Sequence, residues 1–357
     1  KRRSTDKTAL KRLALKNVSA RSVTGAVERF RTANKRLEFL DLSALDSDGR
    51  LRSAFNPFAE TGRLRSQENP RGTGRNIQNI ARPTNDFNLR ALVLPEPIHL
   101  LLEVDLSQIE DRIVRCLIGT PKQQEIALAP PGTIDPHRLL AAKIFNCSPE
   151  SVTKEQRYLG KRARHGANYG LHDRTLRDYL AAEGIFLSVA ECKRILLTAH
   201  KAEPEVEEIY HRQTRIELGQ FRQLTNSWGR VWRVPFDRMD DDLFRRGYAF
   251  RPQSECPDII MNWAELPLRK LIEEELGAEN CLIVNNGHDS LVVSVVPSLL
   301  YKVASFLFEQ LERPRYYGSA YFIPYAELKV GRNWGEMREW KRLPPEEELR
   351  DYARGLL

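Results

Sequence analysis

Hydrophobic and polar positions repeat with different periods along this chain, and each period implies an element. Residues 98–105, Ile-His-Leu-Leu-Leu-Glu-Val-Asp, form a short apolar run closed by a carboxylate, which predicts a buried strand; residues 109–117 then read as a helix. Residues 1–40 are rich in Lys, Arg, Ala and Leu and lack Pro. Val23, Val27 and Phe30 recur there at three to four residues, so the segment is expected to be helical. Asp46-Ser47-Asp48-Gly49 and Asn69-Pro70-Arg71-Gly72-Thr73-Gly74 are turn signals, with a polar, Arg-bearing strand-and-loop region between them. Residues 130–220 read as mostly helical. Thr153 followed by Gln156 is a capping box that opens a helix running through Arg157, Lys161, Arg164, His165 and Tyr169 and stopping at Gly170. Residues 226–236 suggest a hairpin with Trp228-Gly229 near its turn. A second strand pair is expected at Cys281–Asn285 and Ser290–Val296, with Asn286-Gly287-His288-Asp289 at its turn. The stretch 336–357 is charged and reads as helical or loose, and no internal repeat is visible.

Composition narrows the class. At 357 residues, 41% hydrophobic and 29% charged, the chain is neither disordered nor fibrous, and it has room for two or three domains or one core with insertions. No apolar run approaches the ~18–20 residues of a membrane span, and no secretory signal opens the chain. The lack of an initiator Met suggests a fragment or a processed product. Cys116, Cys147, Cys192, Cys256 and Cys281 are widely spaced with no C-x-x-C pair, which favours a reducing cytoplasmic setting over disulfides or zinc. The formal charge is +8. Residues 1–80 hold 18 basic and 8 acidic side chains, so the excess sits at the N-terminal end, and a polyanion such as nucleic acid is a fitting partner.

Three constellations carry candidate chemistry. Val104-Asp105-Leu106-Ser107-Gln108-Ile109-Glu110 mounts a carboxylate where an apolar strand ends, a rigid position for a ligand to a hard cation such as Mg²⁺; an Asp that caps the following helix explains it as well. Arg157, Lys161, His165 and Tyr169 are four apart and form one stripe along a helix. Two cations, an imidazole and a phenol in a row suit a triphosphate at one end and a base and sugar at the other. A solvated basic face with a core Tyr is the plainer account, against which stand Gly160 and Gly166, each costing a helix about 1 kcal/mol relative to Ala. In the third, Asn286-Gly287-His288-Asp289-Ser290, a hairpin tip can bring Asp289 to a second strand-end carboxylate, where two ions would sit about 4 Å apart; a polar turn is the alternative.

In order and spacing these segments resemble the polymerase domain of the family A DNA polymerases, the group of bacterial DNA polymerase I and many phage replicases. Asp105-Leu106-Ser107-Gln108-Ile109-Glu110 resembles motif A, Arg157-x3-Lys161-x7-Tyr169-Gly170 motif B, and His288-Asp289 motif C. Further matches are Thr61-Gly62-Arg63-Leu64, Asn76-Ile77-Gln78-Asn79-Ile80, Asp135-Pro136-His137-Arg138, Arg245 with Gln253, and Val330-Gly331-Arg332-Asn333-Trp334. The resemblance runs from about residue 28 to 337. It implies an α+β right-hand fold: a palm on an antiparallel sheet at 48–118 and 248–357, helical fingers at 119–247, and the remainder of a basic thumb at 1–47. It implies template-directed DNA synthesis with two Mg²⁺ ions, for which Mn²⁺ can substitute. Asp105 and Asp289 become the metal ligands, joined by the Leu106 carbonyl. Arg157, Lys161 and His137 become triphosphate ligands, Lys161 also protonating the departing pyrophosphate. Gln108 and His165 are counted with the nucleotide contacts, Tyr169 lies beneath the nascent base pair, and Glu110 blocks a ribose 2′-OH. Arg63, Gln253 and Arg245 touch the DNA near the primer end, His288 the primer terminus, and Asn76, Gln78 and Asn79 position the duplex. Primer-template DNA and deoxynucleoside triphosphates are the implied partners, with a missing N-terminal segment or a processivity partner left open. The implied setting is the cytoplasm of a bacterium or a phage-infected host.

Several positions depart from the family pattern. His165 stands where Phe or Tyr is usual, Arg164 replaces Asn and adds a cation beside the phosphate row, Ser290 replaces Glu, and Ala249 replaces a frequent Asn. Residues 71–75 resemble an insertion. Only 104 residues precede Asp105, too few for both a full thumb and an exonuclease, so proofreading by this chain is not expected. A catalytically weak or inert primer-template DNA-binding relic of the same fold is the runner-up. A metal-dependent phosphohydrolase is disfavoured because the seven histidines form no ligand set, and a single-subunit RNA polymerase because Glu110 would obstruct the ribose.

Overall fold

The computed structural model describes residues 5–81, 83–84 and 87–357; residues 1–4, the start of the expected basic helical segment, lie outside them. Helices α1 (Lys7–Lys16) and α2 (Ala20–Glu38) are followed by strands β1 (Ala54–Asn56), β2 (Arg65–Gln67) and β3 (Leu100–Leu106). Helices α3 (Ile109–Ile118), α4 (Pro121–Leu128), α5 (Pro136–Phe145), α6 (Lys154–Asn168), α7 (Asp173–Ala182) and α8 (Val189–Ala202) come next. A π-turn at Val206–His211 leads into α9 (Arg212–Phe221), β4 (Gln223–Thr225), β5 (Val231–Arg233), α10 (Asp241–Ile259) and α11 (Leu266–Leu271). The chain ends with β6 (Cys281–Asn286), β7 (Ser290–Val295), α12 (Leu300–Leu311), β8 (Arg315–Tyr317), β9 (Ala320–Phe322), β10 (Ala326–Asn333), β11 (Glu336–Trp340) and α13 (Glu346–Leu356). The class is α+β, as expected. Two compact units form. One comprises Lys1–Leu40, Asp135–Phe221 and Phe236–Ala249; the other comprises Asp41–Ile134, Arg222–Pro235 and Phe250–Leu357.

The second unit is built on a five-stranded antiparallel sheet in the order β11-β10-β3-β7-β6. Strand alternation sorts its residues between two faces. Leu100, Leu102, Val104 and Leu106 of β3, Leu291, Val293 and Val295 of β7, and Ala326, Leu328 and Val330 of β10 enter one buried core with Ile109 and Ile113 of α3 and Leu300, Val303 and Leu307 of α12. Each Val, Leu or Ile among them contributes about 1.5–3 kcal/mol by leaving water. The opposite face of the same strands is therefore free to carry Glu103, Asp105, Ser290, Glu327 and Lys329. The first unit has its own core from Leu140 and Ile144 of α5, Ala163 and Ala167 of α6, Leu176 and Leu180 of α7, and Ile195 and Leu196 of α8.

The N-terminal segment is helical but breaks at residues 17–19, where the Asn17 Oδ1 accepts the Ser19 N–H at 3.1 Å. Its periodic apolar positions are not a core stripe: Val23 and Phe30 are each 66% exposed, and the buried position of α2 is Thr24. The expected hairpin at 226–236 has its turn at Asn226–Gly229 but its first strand, β4, lies upstream at Gln223–Thr225. The C-terminal stretch contains β11 as well as a helix; its Glu-Met-Arg-Glu-Trp sequence hides a strand at the sheet edge. Residues 71–75, the insertion-like stretch, form a turn stapled by the Gly74 N–H to the Ala44 carbonyl at 2.7 Å. Gly74 has φ +87°, and a Cβ there would lie 2.0 Å from the Arg52 carbonyl oxygen, so no larger residue fits.

Candidate active site

Asp105 is the penultimate residue of β3, and its register partners are Ser290 on β7 and Glu327 on β10. The Leu106 N–H donates to the Asp289 carbonyl at 2.7 Å, so the two strand ends that carry Asp105 and Asp289 are joined by backbone. The Asp105 side chain is 30% exposed and Asp289 is exposed. Burial pushes the Asp105 carboxyl up to about 6; Lys329 opposes that rise, and the Asp289 and Glu103 carboxylates add to it.

The turn at 286–289 is a held structure. His288 has φ +80°, a conformation that L residues with a Cβ seldom adopt. The Asn286 Oδ1 accepts the His288 N–H at 3.1 Å, and the Gly287 N–H donates to the Ser290 carbonyl at 2.8 Å. Asn286 is anchored in turn by its Nδ2, which donates to the buried Glu265 Oε2 at 2.7 Å. Gln78 reaches the turn from outside: its Nε2 donates to the Asn286 carbonyl at 2.7 Å while its Oε1 accepts the Ser66 N–H at 2.9 Å. Asn76 caps the short helical turn Ile77–Asn79 that carries Gln78, its Oδ1 accepting the Asn79 N–H at 3.2 Å. Burial, with the Arg63 guanidinium, lowers the His288 imidazole to about 4, and its Nδ1 is buried without a hydrogen-bond partner. Asn76, Gln78, Asn79, Asp105, His288 and Asp289 line one cleft of about 710 Å³.

Arg63 and Glu110 pair with each other, the Arg63 Nη2 donating to the Glu110 Oε1. Gln108 takes φ +51° at the start of α3, and Gln253 is half-buried on α10. These four positions belong to the same unit as Asp105.

The other expected residues lie in the first unit. The capping box forms, with the Thr153 Oγ1 accepting the Gln156 N–H at 3.2 Å and the Gln156 Oε1 accepting the Thr153 N–H at 2.9 Å. Helix α6 then ends at Asn168, with Tyr169 as its C-cap and Gly170 at φ +64°. Arg157, His165 and Tyr169 are half-buried and Lys161 is exposed, while Gly160, Ala163, Arg164 and Ala167 are buried. The stripe is thus a distinct face of the helix. The Arg157 Nε donates to the Asp135 Oδ2 at 2.6 Å, and the buried His137 follows Pro136 in the first turn of α5. Despite burial, Arg157 and the Arg138 N–H hold the Asp135 carboxyl below its usual range. Arg245 meets His172, Nη1 to Nε2 at 2.7 Å.

Two expectations about this helix are corrected. Arg164 does not stand beside the phosphate row. It is 4% exposed at the buried edge of the stripe, pairs with Glu203 and donates to the Pro136 carbonyl at 3.0 Å. The glycines have a packing reason of their own. A Cβ at Gly160 would lie 2.3 Å from the His137 carbonyl oxygen, and one at Gly166 would meet Leu196 and Leu171 at 3.2 and 3.3 Å. They let α6 pack closely and say nothing for or against a ligand.

Sequence reasoning missed Glu103 and Lys329, which share the cleft with Asp105. The Lys329 Nζ donates to the Glu103 Oε1 at 3.1 Å and the Asp105 Oδ2 at 3.2 Å. A signal was present, since Glu103 is two residues from Asp105 and thus on the same face of the strand; the partner strand that brings Lys329 was not legible locally. Among the described residues no group of three or more His, Cys, Asp or Glu is placed to hold a metal ion. Mg²⁺, which keeps waters and takes one or two carboxylates plus substrate phosphates, fits such a pair. Burial is the main cause of the rise at Asp105; the neighbouring Asp289 and Glu103 carboxylates, which add to it, also favour a cation.

Among solved structures, the POL domain of Pol1 from M. smegmatis, complexed with DNA primer-template and dNTP, matches with a TM-score of 0.74 at 24% identity, covering 93% of this chain and 56% of that one. The fold is that of a polymerase domain. A family model for DNA polymerase family A matches residues 1–336, and the chain belongs to that family. Relatives include DNA polymerase I of Caldicellulosiruptor bescii, 27% identical over 301 residues that cover 82% of this chain and 33% of that protein. The DNA polymerase of Bacillus phage SP01 is 27% identical over 250 residues, 67% of this chain and 26% of that protein. The chain therefore spans about a quarter to a third of the length of these relatives. No helix among the described residues is long and apolar enough to cross a membrane.

Proposed function

We propose that the chain is a DNA-directed DNA polymerase that adds deoxynucleotides to a primer 3′-OH, with no proofreading step assigned to it. The observation that carries this reading is the backbone join between Leu106 and Asp289, which couples the strand ends bearing Asp105 and Asp289. Asp105, Asp289 and the Leu106 carbonyl would hold two Mg²⁺ ions, for which Mn²⁺ can substitute. When bound, such ions supply charge neutralisation at the α-phosphate and the leaving oxygen. The primer 3′-oxygen attacks the α-phosphorus as the bond to pyrophosphate breaks, a reaction that asks of the protein mainly alignment and charge stabilisation. Arg157, Lys161 and His137 bind the triphosphate, and Lys161 passes a proton to the departing pyrophosphate. Tyr169 and His165 meet the base and sugar, Gln108 contacts the nucleotide, and Glu110, steadied by Arg63, excludes a 2′-OH. Asn76, Gln78, Asn79, Arg245, Gln253 and His288 position the primer-template. In this reading residues 48–118 and 248–357 form the palm, 119–247 the fingers and 1–47 part of the thumb, in a cytoplasmic setting.

A second reading, primer-template binding without catalysis, draws on Arg157 being engaged by Asp135 and Asp105 by Lys329. Primer extension with Mg²⁺ separates the two. The parent should extend, while Asp105→Ala and Asp289→Ala should fall by at least about a thousandfold yet still shift primer-template in a gel. An inactive parent that binds DNA would establish the second reading.

A further inference from the structure

The cleft contains a cation of its own. Glu103, Asp105, Glu327 and Lys329 share one face of the sheet, with Lys329 opposite Glu103 and Glu327 opposite Asp105. Glu103 is only 5% exposed, and both its oxygens are engaged: Oε1 by Lys329 at 3.1 Å and Oε2 by the Trp334 indole N–H at 2.7 Å. The Arg90 guanidinium lies 4.0 Å from the Trp334 ring centroid, which closes that end of the arrangement. Glu327 is engaged elsewhere, by Ser107 at 2.8 Å and Lys341 at 2.9 Å. Lys329 is thus fixed by a buried carboxylate on one side, and its remaining reach is spent on the Asp105 Oδ2 at 3.2 Å. An isolated buried carboxylate is unfavourable unless paired, so Glu103 has a clear structural use as the tether of that lysine.

We propose that Lys329 is a positioning residue and a built-in competitor for the divalent cation: it takes one oxygen of Asp105, fixes the carboxylate, and weakens metal binding at the Asp105–Asp289 pair before nucleotide arrives. The inference rests on the assignment of those aspartates as metal ligands. An ammonium and a metal ion compete for the same carboxylate, and like charges a few ångströms apart oppose each other strongly where water is scarce. A nucleotide that brings phosphate oxygens adds ligands that Lys329 does not contest, so ion and substrate binding become linked.

The test measures Mn²⁺ binding to the full chain by electron paramagnetic resonance of the free ion, without DNA or nucleotide. Lys329→Met should tighten Mn²⁺ binding by about tenfold, equivalent to about 1.4 kcal/mol. Lys329→Arg should retain the parent affinity because the charge is kept. Should Lys329→Met not fold, Lys329→Gln carries the same expectation. Asp105→Asn and Asp289→Asn should abolish the binding. Unchanged affinity in the charge-removing variant, or equal tightening in Lys329→Arg, overturns the role of Lys329 while leaving the metal assignment intact. Mn²⁺ binding that survives both aspartate substitutions overturns the metal assignment itself and the proposal with it.

Discussion

The Leu106 N–H and the Asp289 carbonyl are 2.7 Å apart, although 183 positions separate them in the chain. Side chains can swing, but a backbone hydrogen bond at the strand ends fixes where the neighbouring carboxylates emerge. Asp105 is further constrained by Lys329 and the Asp289 turn by Gln78. Rigid mounting of this kind is what placing reacting groups requires.

Substituting Gly160 gives a test in which propensity and packing have opposite signs. Ala in a helix interior gains about 1 kcal/mol over Gly, but a Cβ here would meet the His137 carbonyl oxygen at 2.3 Å. Overpacking of this sort costs about 1–3 kcal/mol, and backbone cannot rotate away. Gly160→Ala should therefore lower the thermal midpoint in circular dichroism. A rise would show that α5 and α6 can part without loss.

Arg164 should matter for stability and not for nucleotide binding. Its partner Glu203 has a side chain only 16% exposed, and removing one member of a buried pair strands the other at a cost of about 3–5 kcal/mol. Arg164→Met should lower the denaturation midpoint markedly, while the KM for deoxynucleotide in the folded fraction stays within about twofold of the parent. A large rise in KM would restore the residue to the triphosphate row.

Acid should weaken the first unit through His211. Its ring stacks on Tyr248 with centroids 3.8 Å apart, and its Nε2 meets the Asn168 carbonyl at 2.9 Å. Burial lowers the imidazole to about 4, below the 6.5 of an unfolded chain, so the unfolded state takes up a proton first as pH falls. The associated stability is full above about 6.5, drains away towards about 4, and is on the order of 3 kcal/mol. His211→Phe should flatten the urea midpoint against pH across that window; an unaltered slope would rule the residue out as the cause.

His165 lies 6.1 Å from Tyr169, ring to ring, on the accessible face of α6. If it contacts the sugar, exchanging it for Phe or Tyr should alter selection against 3′-deoxy substrates by about tenfold or more (about 1.4 kcal/mol) without abolishing extension. Competition of dideoxy against deoxy nucleotides reads this directly, and ratios equal to the parent's would remove His165 from sugar recognition.

Primer-template affinity should fall steeply with salt. The log–log slope should be about 0.9 per phosphate neutralised, and Lys35→Ala, at an exposed position of α2, should reduce it by about 1. A flat response would mean that the basic N-terminal segment does not grip DNA.

The local signals that proved legible were those whose physics is local. The Thr153–Gln156 capping box, the positive-φ glycine after α6 and the apolar run of β3 each need only their own neighbours; the first two formed where expected, and the strand expected at 98–105 runs over Leu100–Leu106, with Ile98 outside it at φ +63°. Errors arose where a partner decides. Val23 and Phe30 have helical spacing, yet exposure shows that spacing alone does not create a core. Arg164 reads as one more cation until Glu203 is brought against it from 39 residues away.

By itself the amino-acid order determined the capping box of α6, the apolar face of β3 and the β6–β7 hairpin, because dihedral preference, side-chain alternation and capping are short-range. Only the tertiary structure decided which carboxylates share a cleft, that a lysine stands among them, and which arginine is buried as a strut. Those outcomes depend on contacts between elements distant in the chain: Lys329 and Asp105 are 224 positions apart, and Arg164 and Glu203 are 39 apart.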